Sequence, residues 1–457
     1  MRTVKYLLAA IVLALLVIIT SLYRQSNSVQ SAFQYLRRPF IITSTTTSHR
    51  HHDPNEKFLT FYPHSGLHNQ RLGLLNAMVL AKALNRTLVL PQINLGRGTH
   101  WAASPKLAVR MAECPDLPIP ERRGGGCADY RRYIPVPVST VFDLSVLDAV
   151  GIPYIERDDM HVSFFYNELG VYDDDMYQVN DSSRFSYRIY GTRNTTTGDL
   201  RQFEYRLDLE DLAMRPERAL VFGSLFGSTR LVLDQRPDLS WLHRYLSGEL
   251  GFGHPTVVQQ TLNVVSQLGG PGEFVGVHLR TGDGVFRVVM EQTMNMVRQT
   301  LQGLSPNQNH VQQQQLDSIE HLQSLGQQNQ IQELLHECVS LQHNRHEHDL
   351  HHRLRLIFMA TDAAQPRQTL PSLYNEFVCL FSLSDFDDVI QQTITSSSSS
   401  SNDNSNLGPL LLPLLDAEVA SHGEFFVGTK RSTFSKYIEY RNHRFLSYYP
   451  NLATLSL

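Results

Sequence analysis

Residues 58 to 91, FLTFYPHSGLHNQRLGLLNAMVLAKALNRTLVLP, hold two short apolar runs separated by one long helical pattern. FLTFYPH (58–64) and TLVLP (87–91) read as strands, the second closed by Pro91. Between them a helix is predicted over 71–86, with Leu72, Leu75, Val79 and Ala83 on one face. Two strands joined through a helix cannot pair as a hairpin; the crossover lays them side by side and parallel. A chain that contains such a unit is committed to an open parallel sheet with helices on its faces, an α/β architecture.

The same grammar recurs further on. HPTVVQQTLNVVSQLGG (254–270) reads as a helix ended by glycine, and FVGVHLRTGDGVF (274–286) begins as a buried strand. RLIFMATDA (355–363) and EFFVG (424–428) supply further strands, the latter feeding the amphipathic helix STFSKYIEYRNHR. VPVSTVFDLSVL, the run around Ile152 and ALVFGSLF (219–226) are expected to add elements to the first layer. A length of 457 residues exceeds what one core usually serves. The expectation is therefore two Rossmann-like domains, 58–250 and 251–457, facing across a cleft with a hinge near 250. Residues 160–210 read as polar insertions. The Gln- and His-rich stretch 303–352 and the serine-rich stretch 394–408 read as low-complexity insertions in the second domain.

Before residue 58 the chain changes character. Arg2 and Lys5 precede YLLAAIVLALLVIITSLY (6–23), which carries no charge. That run is just long enough to span a bilayer, and the charges before it favour a cytosolic tail of residues 1–5. A cleaved signal peptide is the rival, but no small-residue cleavage site follows. Residues 24–57 then read as a flexible stem. A single-pass type II membrane protein with its body in the Golgi or endoplasmic reticulum lumen is the expectation. A net charge of −4 argues against a nucleic-acid partner. In an oxidising lumen Cys114, Cys127, Cys338 and Cys379 would form bridges, with Cys114–Cys127 favoured by proximity. Asn85, Asn180 and Asn194 begin glycosylation sequons, Asn194 in the most open sequence.

Three clusters could do chemistry. In the first, His278 and Arg280 lie two apart and share a face of their strand. Arginine's planar fork suits phosphate oxygens. Asp283 suits holding the turn or orienting Arg280. In the second, Lys430, Arg431, Ser432 and Thr433 stand where a strand feeds a helix, an arrangement that binds anions, though Ser432 serves equally as an ordinary helix cap. Asp362 ends its own strand at the same edge, suited to a base or ribose or to structural capping. In the third, HSGLHNQR (64–71), Gly66 permits close backbone approach and Asn69 both donates and accepts, or else caps the helix. The acids Asp173–Asp175, and His348 with His352, are candidate metal ligands whose blander reading is solvated loop.

Together and in this order, the three clusters resemble the GDP-fucose protein O-fucosyltransferase family. HSGLHNQRLGLLNAMVLAKALNRTLVLP looks like its N-terminal signature, FVGVHLRTGD its central H-x-R-x-G-D motif, and EFFVGTKRSTFSKYIEYR its sugar-nucleotide motif. The anchor and stem are similar to those of the fungal and plant branches. The resemblance implies a GT-B fold and an inverting transferase that needs no metal or other cofactor. It places GDP-fucose as donor in the cleft and a protein or glycan hydroxyl as acceptor. By motif, Arg280 would hold the diphosphate, His278 would lie against the nucleoside, and Asp362 would help read guanine or ribose. Ser432 and Thr433 would bind the β-phosphate, with Phe434 near the base and Asn69 reaching towards the fucose. The chain departs from some relatives at Ser65, where they carry a glutamate suited to a general base; His64 and His68 flank it, and the base stays unassigned. Three other readings remain open: a transferase of this fold with another donor, such as a rhamnosyltransferase; a metal-dependent enzyme built on the Asp173–Asp175 loop; and a non-catalytic nucleotide-sugar-binding membrane protein.

Overall fold

The computed structural model describes residues 53, 55–96, 98–122, 126–131, 133–194, 199–282, 286, 288, 290–303, 313–343, 350–396 and 407–448. The expected span at 6–23, nearly all of the stem, Asp283 and His348 lie outside them. Among the described residues no helix is long and apolar enough to cross a membrane.

Two parallel sheets carry the fold. The first comprises β1 (Phe58–Phe61), β2 (Thr87–Leu90), β5 (Tyr154–Glu156), β6 (Met176–Val179) and β9 (Ala219–Phe222), in the order β5-β2-β1-β9-β6. Every pairing in it is parallel. Helix α1 (Leu67–Leu84) makes the β1-to-β2 crossover that the sequence predicts. It starts four residues earlier than the apolar spacing indicates. It is also buried on nearly all sides, because the sheet covers one side and later helices the other. Two further strands, β3 (Ile93–Gly96) and β4 (Tyr133–Val136), form an antiparallel pair.

The stretch 160–210, read from its polarity as insertions, is partly built into the layers. β6 closes the first sheet, and β7 (Tyr187–Tyr190), β8 (Tyr205–Asp208) and β10 (Leu231–Val232) form a small parallel sheet. Tyr187 and Tyr190 are fully buried in it, tyrosine rings serving as core where leucine would be expected.

The second sheet has the order β13-β12-β11-β14, from β11 (Val275–Leu279), β12 (Ile357–Thr361), β13 (Leu380–Phe381) and β14 (Phe426–Gly428), again all parallel. After α2 (Ser104–Glu113), α3 (Pro237–Glu249) and α4 (Pro255–Gln267), helix α5 (Met290–Gly303) covers one face of this sheet through Met294, Val297 and Leu301.

The Gln- and His-rich stretch also corrects the reading from composition. It carries α6 (Gln313–Gln327) and α7 (Ile331–His343), which bury Ile319, Leu322, Leu325, Leu334 and Leu335. The glutamines mask a regular apolar spacing. A disulfide from Cys338 of α7 to Cys379, at the edge of the sheet, fastens this hairpin; Cys114, just after α2, pairs with Cys127 as expected.

Helix α8 (Asp387–Ser396) leads to α9 (Gly408–Ser421), which lies on the other face of the second sheet so closely that a Cβ on Gly276 would fall 2.1 Å from the Ala420 carbonyl. The last helix, α10 (Thr433–Tyr448), packs on α9, α3 and α1, so one apolar core runs unbroken from Leu59 to Ile438.

Candidate active site

The carboxyl ends of both sheets' strands hold Asn69, His278, Arg280, Asp362 and Ser432–Phe434, described residues of the three clusters. β11 ends at Leu279 and hands on to Arg280. The Arg280 N–H donates to Thr429 Oγ1 at 3.1 Å, and that hydroxyl donates to the His278 carbonyl at 2.9 Å. Thr429 thereby clips β11 to the end of β14 and fixes where Arg280 leaves the sheet. Sequence reasoning passed over it, although it opens the hydroxyl-rich run TKRST. The Arg280 guanidinium lies 4.7 Å over the Phe286 ring.

His278 points to the same face but is only 4% exposed. Its Nδ1 lies 2.6 Å from Ser435 Oγ, and Phe434 stacks on it with ring centroids 4.5 Å apart. Burial depresses its pKa to about 3, helped by Arg280 and opposed by Asp362. It is thus a neutral ring sealed beneath Phe434.

Asp362 is exposed at the end of β12. Its Oδ1 accepts from the Thr281 N–H at 2.6 Å and the Thr281 hydroxyl at 3.0 Å, and its Oδ2 from the Gly282 N–H at 3.2 Å. The turn after β11 is thus held from the neighbouring strand, by Asp362. Asp283, to which the sequence reading gave that work, lies outside the described residues.

Ser432 is buried, and its Oγ accepts from the Ser435 N–H at 3.3 Å, the geometry of a helix cap. Thr433 begins α10, half-buried, behind exposed Lys430 and Arg431. Arg431 has φ 66°, the left-handed region.

On the first sheet, β1 runs through Tyr62, Pro63 and His64 to Ser65, with φ 68°, and then into α1. Gly66 is the N-cap and no side chain caps this helix; Asn69 sits in its first turn, half-buried. The capping alternative for Asn69 is therefore not the one adopted. A Cβ on Gly66 would meet nothing within 4 Å.

His68 brings the clusters together. Its ring lies 4.7 Å from Phe434, 5.1 Å from Tyr437 and 5.8 Å from Phe252. A column His68–Phe434–His278 thus joins HSGLHNQR, the β14–α10 junction and the end of β11. Burial depresses the His68 pKa to about 3, with Arg71, His278 and Arg280 adding repulsion, and among the described residues its Nδ1 is buried without a hydrogen-bond partner.

Beneath this column Arg71 donates to the carbonyls of Ser247 and Leu250, its Nη2 at 2.7 and 2.8 Å. It lies 4.7 Å over Tyr437, whose hydroxyl donates to Glu418, itself paired with Arg441 at 3.4 Å. Arg71 ties the segment near residue 250 to the first turns of α1 and to α10. In the sequence it is the last residue of HSGLHNQR, with nothing local to show this role.

Asp173–Asp175 form a turn ahead of β6, at the amino ends of the first sheet's strands and so on its opposite edge; Asp173 accepts from Tyr166. Among the described residues no group of three His, Cys, Asp or Glu side chains could hold a metal ion.

No protein-family model matches the chain, and no curated protein matches it. Among solved structures it is similar to POFUT1 in complex with GDP-fucose, at 12% identity and a TM-score of 0.39, covering 86% of this chain and 95% of that one. POFUT1 in complex with GDP gives 13% and 0.40, covering 86% and 97%. At these values the likeness decides neither family nor activity.

Proposed function

We propose that the chain is an inverting glycosyltransferase of the two-domain GT-B kind that moves fucose from GDP-fucose to a hydroxyl of a protein or glycan. The reading rests on the three motifs named above and on the observation that carries it: the His68–Phe434–His278 column, which gathers all three at the carboxyl edges of two parallel sheets, where open α/β sheets bind ligands. On this reading Arg280 takes the diphosphate, with the first turn of α10 at Thr433 on the β-phosphate and Phe434 against the base. Asn69 and Gly66 face the fucose from the first sheet. Departure of the diphosphate gathers negative charge there, and a fixed guanidinium stabilises it without a metal. Two disulfides support an oxidising compartment, in keeping with a luminal body behind a membrane anchor.

Calorimetry with GDP and UDP, followed by fucose transfer from GDP-fucose, tests the proposal. GDP should bind in preference to UDP, without divalent metal. Arg280→Ala should unfold at an unchanged temperature while transfer falls by about 10²–10³-fold. A preference for UDP, or near-normal transfer by the folded variant, would overturn it.

A further inference from the structure

A hydrogen-bonded file of three side chains stands at the carboxyl end of β1, where the proposed transferase lacks an assigned base. Ser65 Oγ lies 2.9 Å from His64 Nδ1, and His64 Nε2 lies 2.8 Å from Ser224 Oγ. His64 is 2% exposed, so water does not serve its ring nitrogens; the two serines do. Ser224 follows β9, the strand beside β1, and its Oγ also accepts from the Phe226 N–H at 3.3 Å. Ser224 Oγ has a second lone pair that can accept from His64 Nε2–H, and in that tautomer Nδ1 is the acceptor for the Ser65 hydroxyl. The outer member, Ser65, is half-buried beside Gly66, where no atom lies within 4 Å of an added Cβ. One turn further along α1, His68 touches Phe434 of the other half. The outer end of the file thus lies one helical turn before the residue that meets the other half.

We propose that Ser65 receives the proton of the acceptor hydroxyl and relays it to His64, with Ser224 holding the imidazole in place. The inference rests on the transferase reading above and adds to it the residue that handles the proton. The acceptor oxygen forms its bond to the anomeric carbon as the bond from that carbon to the diphosphate breaks, the electron pair leaving with the diphosphate. The acceptor proton passes to Ser65 Oγ while the Ser65 proton passes to His64 Nδ1. After the glycoside and GDP depart, the imidazolium returns its proton through Ser65 to water. A strong base is not required, because an oxygen newly bonded to an anomeric carbon while still protonated is an oxonium, far more acidic than an imidazolium. The surroundings keep the imidazole neutral between turnovers and make its protonated state short-lived: burial, then Arg230 and Arg184, hold the His64 pKa at about 3. Phe226 is the other ring against it. His64 is thus wholly in the receiving form at neutral pH.

The test uses Ser65→Ala, Ser65→Gly and Ser224→Ala in the full chain. The readouts are GDP affinity, the KM for GDP-fucose, and kcat for radiolabelled fucose transfer to a mixture of secreted glycoproteins. Glycine suits φ 68°, so Ser65→Gly separates loss of the hydroxyl from loss of the fold. Both Ser65 variants should lose about 10²-fold or more in kcat with GDP affinity and KM unchanged. Ser224→Ala, which acts only through His64, should lose less, about 10-fold. Unchanged kcat in Ser65→Gly overturns the relay and leaves the transferase reading standing; so does a fall in GDP affinity that accounts for the whole loss, since that marks a structural serine. Wild-type chain that binds no GDP overturns the transferase reading, and the relay with it.

Discussion

The β1–α1 and β14–α10 junctions solve one problem in the same way and finish it differently. Each takes a strand into a helix through a residue other than glycine in the left-handed region, Ser65 at φ 68° and Arg431 at φ 66°. Each has a buried histidine beside it that meets a serine hydroxyl, His64 with Ser65 and His278 with Ser435. At the second junction Ser432 caps the helix, and the clip through Thr429 fixes the strand behind it. At the first no side chain caps α1, and the serine of the turn faces its histidine instead. The capped junction is a finished support; the uncapped one leaves polar groups at the helix tip for something else to meet. Backbone strain common to both cannot be what distinguishes them, so the difference lies in where the hydroxyls point.

The largest effect that bears on this comparison is acid sensitivity. His64, His68 and His278 are all held near pKa 3, chiefly by burial, against about 6.5 in the unfolded chain. Above pH 6.5 neither state binds these protons and they contribute nothing. As pH falls below 6.5 the unfolded chain takes up protons that the folded one refuses, so each histidine removes about 1.4 kcal/mol of stability per pH unit, down to about pH 3. Asp416 works the other way, because its burial raises its carboxyl pKa and the folded state holds that proton. The clean measurement is therefore a difference between variants. Urea unfolding at pH 7.5 and 5.5 should show that His64→Asn and His278→Asn each abolish about 1.4 kcal/mol of the wild-type acid loss. If only one does so, the junctions differ in proton access as well as in capping.

Much of this edge was legible in the sequence, for a physical reason. Parallel strands are buried on both faces, so VGVHL and IFMAT are nearly unbroken apolar runs, and the polar residues that end them mark the sheet's carboxyl edge. The helical register of α1 was equally plain, although its start was not, because Gly66 caps it without a side-chain signal. What stayed hidden depended on contacts between distant segments. Nothing local announces that Ser224 would meet His64 from 160 residues away, or that Arg71 would reach the carbonyl of Leu250, 179 residues on. Composition misled twice. Tyrosines between 160 and 210 form core, and the glutamines around α6 and α7 surround a buried apolar seam. Asp362 shows a different limit: its position at a strand end was readable, but its hold on Thr281 and Gly282 needs the partner strand in place.

Next in size is the cap itself. Ser432→Ala removes an acceptor that serves the Ser435 N–H and should cost about 1 kcal/mol, within the usual range for a lost helix cap. Gly66→Ala removes no side-chain acceptor, keeps a permitted φ of −70° and enters open space, so it should cost less than Ser432→Ala, about 0.5 kcal/mol, from the preference of an N-cap for glycine over alanine. Urea denaturation of the two variants checks the contrast. Equal losses would show that the tip of α1 depends on something glycine alone provides, and the two junctions would then be more alike than their hydrogen bonds indicate.

The smallest expected effect is at Arg431, and it asks whether the strain at the second junction has any use. Arg431 is exposed and follows exposed Lys430, so its side chain carries little packing. Arg431→Gly relieves the left-handed conformation but adds unfolded-state entropy, and the balance should be a gain of about 0.5–1 kcal/mol. The urea midpoint should rise with an unchanged slope. GDP affinity distinguishes the two causes that would keep an arginine there. If affinity holds, the turn needs only the backbone shape and glycine supplies it more easily. If affinity drops about tenfold while stability rises, the charge at this junction serves the diphosphate, and the strained arginine is the counterpart across the site of the strained serine at 65.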